Sequence, residues 1–271
     1  MVVVALLNCD LVGNGMKKVR VSVGIVFNTQ GKVLISTREQ NRSYQGYWEF
    51  PGGKAKAKEN DLIALKRELK EELNIDVHRA TPWLNKQVID DNTLLNISFW
   101  RICARQWSGE IKAREEQYWE FVWPAQLPDK NFLPSNHEVV KTLMYPRQLF
   151  LHNSVFYDQE QTFYLLPYRA SLSSTDKVYY LSRDYQNLSA QPDHSCTVVV
   201  VENTQQIREA LDVDALIWNI VSSNSYHMLC RVLKEGQFMP IWALNATTEE
   251  IDHLNKLGIH GFAYRREVNW S

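Results

Sequence analysis

Residues 49–73 read EFPGGKAKAKENDLIALKRELKEEL and place two glycines shortly before a helix that is rich in acidic residues. Leucines recur at about 100° per residue, which predicts a helix from about Asn60 to Leu73 that packs on a sheet. The leucines of this stripe are Leu62, Leu65, Leu69 and Leu73. Three carboxylates project from the neighbouring arc: Glu68, Glu71 and Glu72. Like charges this close repel one another and raise their pKa values, so the arrangement is costly without a cation.

A divalent cation would remove this repulsion, and Mg²⁺ favours carboxylate oxygens, water and substrate phosphates as ligands. Gly52 and Gly53 allow a backbone carbonyl to turn inward as a further ligand. Arg67 can hold a carboxylate in a forked pair. The alternative is a solvated helix face, because KRELKEEL alone is typical of soluble helices. The glycines, Arg67 and Glu59 just before the helix favour the metal-binding interpretation.

The order and spacing of these residues resemble the Nudix box, G-x5-E-x7-R-E-U-x-E-E-x-G-U. The matching residues are Gly53, Glu59, Arg67, Glu68, Leu69, Glu71, Glu72 and Ile75. Asn74 stands where the family has glycine, a mild change because asparagine tolerates the left-handed backbone that ends a helix. The resemblance implies an α/β/α sandwich with a mixed sheet, a hydrolase that acts on phosphoric anhydrides, and bound Mg²⁺, for which Mn²⁺ is expected to substitute.

The resemblance also implies roles for individual side chains. Metal ligands are expected at the Gly52 carbonyl, Glu68, Glu71, Glu72 and Glu120. Catalytic roles are expected for Glu68, Glu71, Glu72, Glu120 and Arg67. Lys54, just after the glycines, is expected to contact phosphate. Which glutamate takes the proton from the attacking water is left open, although a carboxylate crowded by others is a reasonable base.

From Met16 to about Leu143 the sequence is similar to the MutT-like branch of the family, whose members convert 8-oxo-dGTP to 8-oxo-dGMP and pyrophosphate. The segment LPSNHEVV puts Asn136 at the purine-reading position, and an Asn amide can face a purine edge through two hydrogen bonds. Arg38 matches the arginine after the second strand, and Phe50 the aromatic residue beside the base. The alternatives are a helix cap for Asn136, a surface position for Arg38 and a core position for Phe50.

Three other functions remain open from the sequence. The loop DDNTLLN lacks the aromatic residue that the MutT-like branch has there, so the sequence specifies the base less well than the chemistry. Another substrate of the family, such as ADP-ribose or a dinucleotide, is a first alternative. A nucleotide sensor that does not cleave is a second alternative, although a binder has no need of all the glutamates. A thiamine-pathway enzyme is a third.

The pattern changes near MYPRQ, residues 144–148, which predicts two docked domains, 16–145 and 146–271. From Cys196 onward, apolar runs alternate with helical segments, which predicts parallel β-α units. This part is similar in pattern to thiamine phosphate synthase and TenI-like (β/α)8 barrels. Its length of about 125 residues is short for eight β-α units, and Asn245 and Ala246 replace phosphate-cradling glycines. We therefore expect a shortened, non-catalytic relative.

Local patterns predict the main elements of the first domain. Residues 19–28 and 33–39 are expected to form an antiparallel hairpin around TQGK. Further strands are expected at 94–107 and 118–123, and a helix at 135–145.

The composition is that of an ordinary globular protein, with 45% apolar residues and a net charge of −1. This balance argues against a nucleic-acid polymer or a membrane surface as partner and does not exclude a single charged ligand in a local pocket. The family resemblance implies a small-molecule nucleotide as that ligand. No stretch is long and apolar enough to span a membrane, and a cytoplasmic location is expected. Residues 1–15 resemble an upstream extension before Met16. Free thiols are expected rather than a zinc site or disulfides at Cys9, Cys103, Cys196 and Cys230. The oligomeric state stays open.

Overall fold

The computed structural model describes residues 16–38, 44–90, 92–112, 117–167, 179–182, 197–209 and 213–266. Residues 1–15, which we interpret as an upstream extension, lie outside these ranges. Contacts divide the chain into two compact units that meet in the sequence between Tyr145 and Pro146.

The first unit contains one mixed sheet and one antiparallel sheet. The mixed sheet has the order β4-β1-β7-β6 and consists of β4 (Gly52–Lys54), β1 (Lys17–Val26), β7 (Thr93–Ile102) and β6 (Thr81–Asp90). The antiparallel sheet has the order β3-β2-β9 and consists of β3 (Trp48–Glu49), β2 (Val33–Thr37) and β9 (Trp119–Val122). A small ladder joins β5 (Asp76–Val77) to β8 (Trp107–Ser108). β1 runs parallel to β7 and antiparallel to β4, so the mixed sheet implied by the resemblance is present.

The predicted hairpin between β1 and β2 is wrong. A turn from Asn28 to Lys32 does join the two strands, but they share only the isolated bridge between Phe27 and Val33. Beyond that bridge the strands enter different sheets. The reason is that both edges of β1 are already occupied, one by β7 and the other by β4.

The helix α1 (Asp61–Leu73) begins and ends as the sequence predicts. Asn60 caps it, since its side-chain oxygen accepts a hydrogen bond from the backbone N–H of Ile63 at 2.9 Å. Asn74 ends it in the left-handed conformation, with φ of 57°, so asparagine serves where the family has glycine. Three leucines of the stripe are fully buried, which contributes about 2 kcal/mol each. These are Leu65, Leu69 and Leu73.

Two apolar clusters lie in this unit. The α1-side cluster includes Val26, Leu34, Leu65, Leu69 and Ile102, with Phe121 packed against it. The α2-side cluster includes Val23, Ile35, Phe50, Val122, Phe132 and Val139. The second takes its name from α2 (His137–Leu143), a short helix that follows a 3-10 turn at Pro134–Asn136. Because side chains alternate along a strand, β2 and β9 each contribute to both clusters.

The second unit is a closed ring of eight strands in chain order. They are β10 (Gln148–His152), β11 (Val155–Tyr157), β12 (Tyr164–Pro167), β13 (Tyr179–Ser182), β14 (Thr197–Val201), β15 (Ala215–Asn219), β16 (Ile241–Leu244) and β17 (Gly261–Arg265). The helices α3 (Thr204–Glu209), α4 (Ser223–Glu235) and α5 (Thr248–Lys256) connect the last four strands. The strands from β12 to β17 pair in parallel, and β17 closes the ring against β10. The predicted parallel β-α units are therefore confirmed.

The second unit has few residues for an eight-stranded ring because its first three strands are joined without helices, not because strands are missing. The pairs β10–β11 and β11–β12 are antiparallel and are joined directly, without crossover helices. The strands themselves have only three to five residues. Eight strands therefore fit into about 125 residues, a length from which the sequence predicts a truncated barrel. The specific likeness to TenI-like proteins stays a prediction.

The described helices are short, and the described cysteines are free thiols. The longest described helices, α1 and α4, have 13 residues each. Within the described ranges, no helix has the length and apolar character needed to cross a membrane. Cys103 and Cys230 are free thiols, the first exposed and the second buried, whereas Cys9 and Cys196 lie outside the described residues.

Candidate active site

Arg67 is the centre of the candidate site and uses all its donors. Its Nε and Nη2 donate to the two carboxylate oxygens of Glu59 at 2.7 and 2.8 Å, which is a forked pair. Its Nη1 donates to Glu68 at 2.7 Å and to Glu71 at 3.1 Å. Nη2 also donates to the carbonyl oxygen of Lys54 at 3.1 Å. A guanidinium has five N–H groups, so these five bonds fix its position completely.

The forked pair shifts the titration of both partners. The hydrogen bonds from Arg67 lower the pKa of Glu59 from 4.5 to about 2, with a further contribution from the backbone N–H of Lys56. The bond to Glu59 in turn raises the pKa of Arg67, with smaller contributions from Glu68 and Glu71. Glu59 and Arg67 are therefore both charged at neutral pH.

Glu59→Gln should make the free energy of unfolding depend less on pH in the range below about 4.5. The pKa of Glu59 is lower in the folded than in the unfolded chain, so the pair stabilises the fold above about pH 4.5. That contribution is lost as the pH falls from 4.5 toward 2. We expect the wild type to have a higher Tm than the variant at pH 7, and the difference to shrink below pH 4.5. Thermal unfolding followed by circular dichroism would measure this, and a Tm difference that stayed constant down to pH 3 would contradict it.

The glycine loop lies directly against the carboxylates. A Cβ at Gly53 would lie 2.4 Å from the carboxyl carbon of Glu68, so only glycine leaves room for this side chain. A Cβ at Gly52 would lie 2.2 Å from the carbonyl oxygen of Ser22 on β1. The side chain of Glu68 is only 15% exposed, enclosed between β4 and Arg67. Both glycines are thus required by close approach rather than by a turn.

Gly53→Ala is expected to lower kcat by about 100-fold. The added methyl group must displace the Glu68 carboxylate by on the order of 1 Å, and misplacement of that size costs about this much in rate. Steady-state kinetics would measure the loss. The matched control is Gly31→Ala, where a Cβ meets nothing within 4 Å although φ is +84°, so it tests the loss of a glycine without the clash. Equal activity of the two variants would contradict the prediction.

The remaining carboxylates continue along the same side of α1. Glu71 lies further out, with 42% of its side chain exposed and the ammonium group of Lys56 3.9 Å from one oxygen. Glu72 follows it and is half-buried. In the described arrangement Arg67 holds Glu68 and Glu71, and no group of three His, Cys, Asp or Glu side chains in the described residues already surrounds a metal position. The donor set fits a hard divalent cation, because it consists of carboxylate oxygens beside a glycine backbone.

A second arginine, which sequence analysis did not single out, fastens the loop before α1. Arg20 on β1 donates to Asp61 at 2.8 Å and to the carbonyl oxygen of Glu59. Ser98 on β7 also donates to Asp61, at 2.9 Å. These contacts tie the start of the helix to the mixed sheet. Their partners lie about 40 residues apart in the chain, so no local pattern could have revealed them.

Glu120 lies on the face of β9 that points away from α1. Side chains alternate along a strand, so Glu120 shares a face with Val122, while Phe121 points the other way. Val122 belongs to the α2-side cluster and Phe121 packs against the α1-side cluster. The ion-pair partner of Glu120 is Lys130, whose ammonium group lies 5.0 Å from the centre of the Trp48 ring. The structure therefore does not bring Glu120 to the carboxylates of α1, and we leave it out of the metal-ligand set.

Lys54 and Arg38 lie at the ends of short strands. Lys54 is exposed at the end of β4, where its carbonyl accepts the bond from Arg67. Arg38 follows β2, and its Nη1 donates to Glu49 of β3 at 3.1 Å. Its Nε is buried and has no hydrogen-bond partner among the described atoms. Arg38 is thus a half-buried, partly satisfied arginine rather than a simple surface residue.

Asn136 and Phe50 lie together in the α2-side cluster. Asn136 is 6% exposed, and its side chain makes no capping bond to α2, so the helix-cap alternative is wrong. Its Oδ1 is 3.5 Å from the backbone nitrogen of Phe50, and its Nδ2 donates to Ser135 at 3.2 Å. Phe50 is buried, with its ring centre 5.1 Å from that of Phe132, as the core alternative predicts. The structure thus brings together Asn136 and Phe50, and separately Arg67, Glu68 and Glu71.

Comparison with known proteins gives the family. Residues 16–143 match the model of the NUDIX domain. The 8-oxo-dGTP diphosphatase of Haemophilus influenzae is 32% identical over 128 residues, which is 47% of this chain and 93% of that protein. The chain belongs to the Nudix family. It is a Nudix hydrolase, and the side chains held by Arg67 are those of its Nudix box.

Two further relatives are named for different substrates. The 8-oxo-dGTP diphosphatase of Escherichia coli is 29% identical over 47% of this chain and 98% of its own length. The CTP pyrophosphohydrolase of the same organism is 26% identical over 48% of this chain and 93% of its own. A solved MutT structure, from a study of the Aliivibrio salmonicida and Vibrio cholerae proteins, is 31% identical with a TM-score of 0.41, over 47% of this chain and 98% of its own. The family match ends at residue 143 and so does not include the second unit.

Proposed function

We propose that this Nudix hydrolase is a Mg²⁺-dependent nucleoside triphosphate pyrophosphohydrolase that converts 8-oxo-dGTP to 8-oxo-dGMP and pyrophosphate. The observation that carries the proposal is the carboxylate row of α1, in which Arg67 holds Glu68 and Glu71 beside the glycine loop. The similarity to 8-oxo-dGTP diphosphatases over 128 residues supports the choice of substrate.

The carboxylates of α1 would hold the metal. Glu68, Glu71 and Glu72, together with the Gly52 carbonyl, supply the oxygen ligands that Mg²⁺ prefers, and Mn²⁺ is expected to substitute. When bound, Mg²⁺ neutralises charge on the phosphate oxygens and orients the reacting groups. Arg67 keeps Glu68 and Glu71 in place, and Lys54 is exposed where it could meet the triphosphate.

The reaction is a hydrolysis of the anhydride between the α- and β-phosphates. The oxygen of a water molecule forms a bond to phosphorus, and the bridging P–O bond breaks to release pyrophosphate. A carboxylate of the α1 row accepts the proton that the water loses. We assign this role to Glu68, because only 15% of its side chain is exposed and because Arg67 fixes its orientation.

The α2-side cluster would hold the purine. Asn136 keeps a buried amide that does not cap its helix, and an amide can both donate to and accept from a purine edge. Arg38 adds a buried Nε donor without a described partner, which a nucleotide acceptor would satisfy. The ring of Phe50 would then line the base pocket from the core side.

Pyrophosphate and nucleotide release from a substrate panel tests the proposal. The panel contains 8-oxo-dGTP, dGTP, CTP, ADP-ribose and NADH, each with and without Mg²⁺. We expect the highest kcat/KM for 8-oxo-dGTP, and no turnover without the metal. Faster cleavage of ADP-ribose or NADH would refute the triphosphate assignment, and faster cleavage of CTP would refute the purine assignment. Binding without cleavage of any member would favour a sensor.

Asn136→Ala is expected to remove most of the purine selectivity. Each well-formed base contact contributes about 1–3 kcal/mol of discrimination, so the preference for 8-oxo-dGTP over CTP should fall about 10- to 100-fold. The change should appear mainly in KM, because the α1 carboxylates are untouched. Asn96→Ala is the control, since Asn96 is a partly buried asparagine on β7 that bonds Gln87 instead. Unchanged selectivity in Asn136→Ala would contradict the assigned role.

The proposal extends to the organisation of the whole chain. The division between Tyr145 and Pro146 supports a catalytic domain at 16–145 and a second domain at 146–271. Because the substrate is a small nucleotide, neither a nucleic-acid polymer nor a membrane is expected as partner, and we propose a cytoplasmic location.

A further inference from the structure

The carboxyl edge of four adjacent strands in the second unit carries a continuous row of polar side chains. Glu202 follows β14, Asn219 ends β15, Asn245 follows β16 and Arg265 ends β17. One residue earlier on the first three strands, the side chains are apolar and almost fully buried: Val201, Trp218 and Leu244. Glu202 and Asn219 follow directly after the paired residues Val201 and Trp218, whereas Asn245 lies one residue beyond Leu244, the partner of Asn219.

Three hydrogen bonds join this row from end to end. Arg265 Nε donates to Asn245 Oδ1 at 3.0 Å, and Asn245 Nδ2 donates to Asn219 Oδ1 at 2.7 Å. Asn219 Nδ2 donates to Glu202 Oε1 at 2.8 Å. Arg265 can only donate hydrogen bonds and the carboxylate of Glu202 can only accept them, so the orientation of the amides of Asn245 and Asn219 is determined. Its two ends carry opposite charges.

The buried hydroxyl group of Ser225 supports the backbone at the Glu202 end of the row. Ser225 of α4 is 4% exposed, donates to the carbonyl oxygen of Glu202 at 2.7 Å, and accepts from the indole N–H of Trp218 at 3.0 Å. Asn245 has a φ of 64°, a left-handed conformation that asparagine tolerates, as at Asn74. Groups whose positions are fixed by a supporting layer of hydrogen bonds are typical of binding sites.

We propose that this row is a binding site for a small dipolar molecule with an anionic group at one end and an amino or amide donor at the other. The anionic group would meet the guanidinium of Arg265, and the donor would meet the carboxylate of Glu202. The amides of Asn219 and Asn245, which offer both donors and acceptors, would form hydrogen bonds with polar groups in the middle of the bound molecule. The row spans three strand spacings, on the order of 14 Å along the sheet, which suits a molecule the size of a nucleoside monophosphate.

Guanosine 5′-monophosphate is a suitable probe, because it has a phosphate at one end and amino and ring N–H donors at the other. The full chain would be labelled with ¹⁵N-asparagine, and the side-chain amides of Asn219 and Asn245 assigned with Asn219→Ser and Asn245→Gly. We expect both amides to shift saturably as the probe is added. Inorganic phosphate alone and guanosine alone should bind at least tenfold more weakly. Failure of either amide to shift at millimolar probe overturns the proposal, and an equal response to phosphate alone overturns the dipolar class.

Variants at the two ends of the row distinguish a binding site from a set of hydrogen bonds that only stabilises the fold. Arg265→Gln and Glu202→Gln should each weaken binding of the probe at least tenfold. Asn245→Gly should do the same, and glycine adopts this positive φ readily, so the variant keeps the test valid if an end variant unfolds. Asn255→Ser, outside the row, is the control and should bind normally. Probe binding that survives in every folded row variant overturns the proposal. To exclude the Nudix site as the source of the shifts, the titration is repeated in Asn136→Ala, where they should persist.

Discussion

Glu68→Gln should lower kcat by about 10³-fold or more while leaving the protein folded. The substitution keeps the size and the hydrogen-bonding shape of the side chain but removes its charge and its basicity. Glu68 is enclosed by Gly53 and Arg67, so no other carboxylate can move into its position without displacing the loop. Loss of a general base alone typically costs 10²- to 10⁴-fold, and loss of a metal ligand adds to that.

The measurement should separate metal binding from the chemical step. Pyrophosphate release at saturating Mg²⁺ gives kcat, and titration calorimetry with Mn²⁺ gives metal affinity without turnover. Glu110→Gln is the matched control, because that carboxylate is 81% exposed and pairs with Lys112. We expect normal kcat in the control. A Glu68→Gln variant within tenfold of wild type in kcat, with unchanged Mn²⁺ affinity, would refute the catalytic role of the α1 carboxylates.

Arg67→Lys is the second large effect, and we expect a fall in kcat of about 100-fold together with a lower Tm. Lysine keeps the positive charge but has three donors at one point and cannot make the fork. It therefore cannot hold Glu59, Glu68, Glu71 and the Lys54 carbonyl at the same time. The carboxylates would lose their common anchor, and displacement on the order of 1 Å costs about 100-fold in rate.

A double-mutant cycle tests whether the fork is the cause. Arg67→Lys and Glu59→Gln remove the same pair, so their combined loss of stability should be smaller than the sum of the two single losses. Arg105→Lys, at an exposed position, controls for the change of arginine to lysine. Additive losses, or a normal kcat in Arg67→Lys, would show that the arginine acts only as a surface charge.

Local chemistry explains why much of the site could be predicted. The leucine spacing that defines α1, the fork from Arg67 to Glu59, and the left-handed end at Asn74 all involve residues within 15 positions of one another. Contacts of this range depend on helix geometry, which a sequence displays directly. The alternation of apolar runs and helices after Cys196 likewise indicated parallel strands, and these are present.

The sequence by itself determined the family, the helix with its carboxylates, and the need for glycine at the loop. Only the tertiary structure decided that β1 and β2 enter different sheets, that Glu120 faces away from α1, and that Asn136 does not cap its helix. It also decided that eight short strands close into one ring and align the row from Glu202 to Arg265. The physical reason is the same in each case. Strand pairing and facing depend on register between distant segments, and register is chosen by packing of the whole unit rather than by any local pattern.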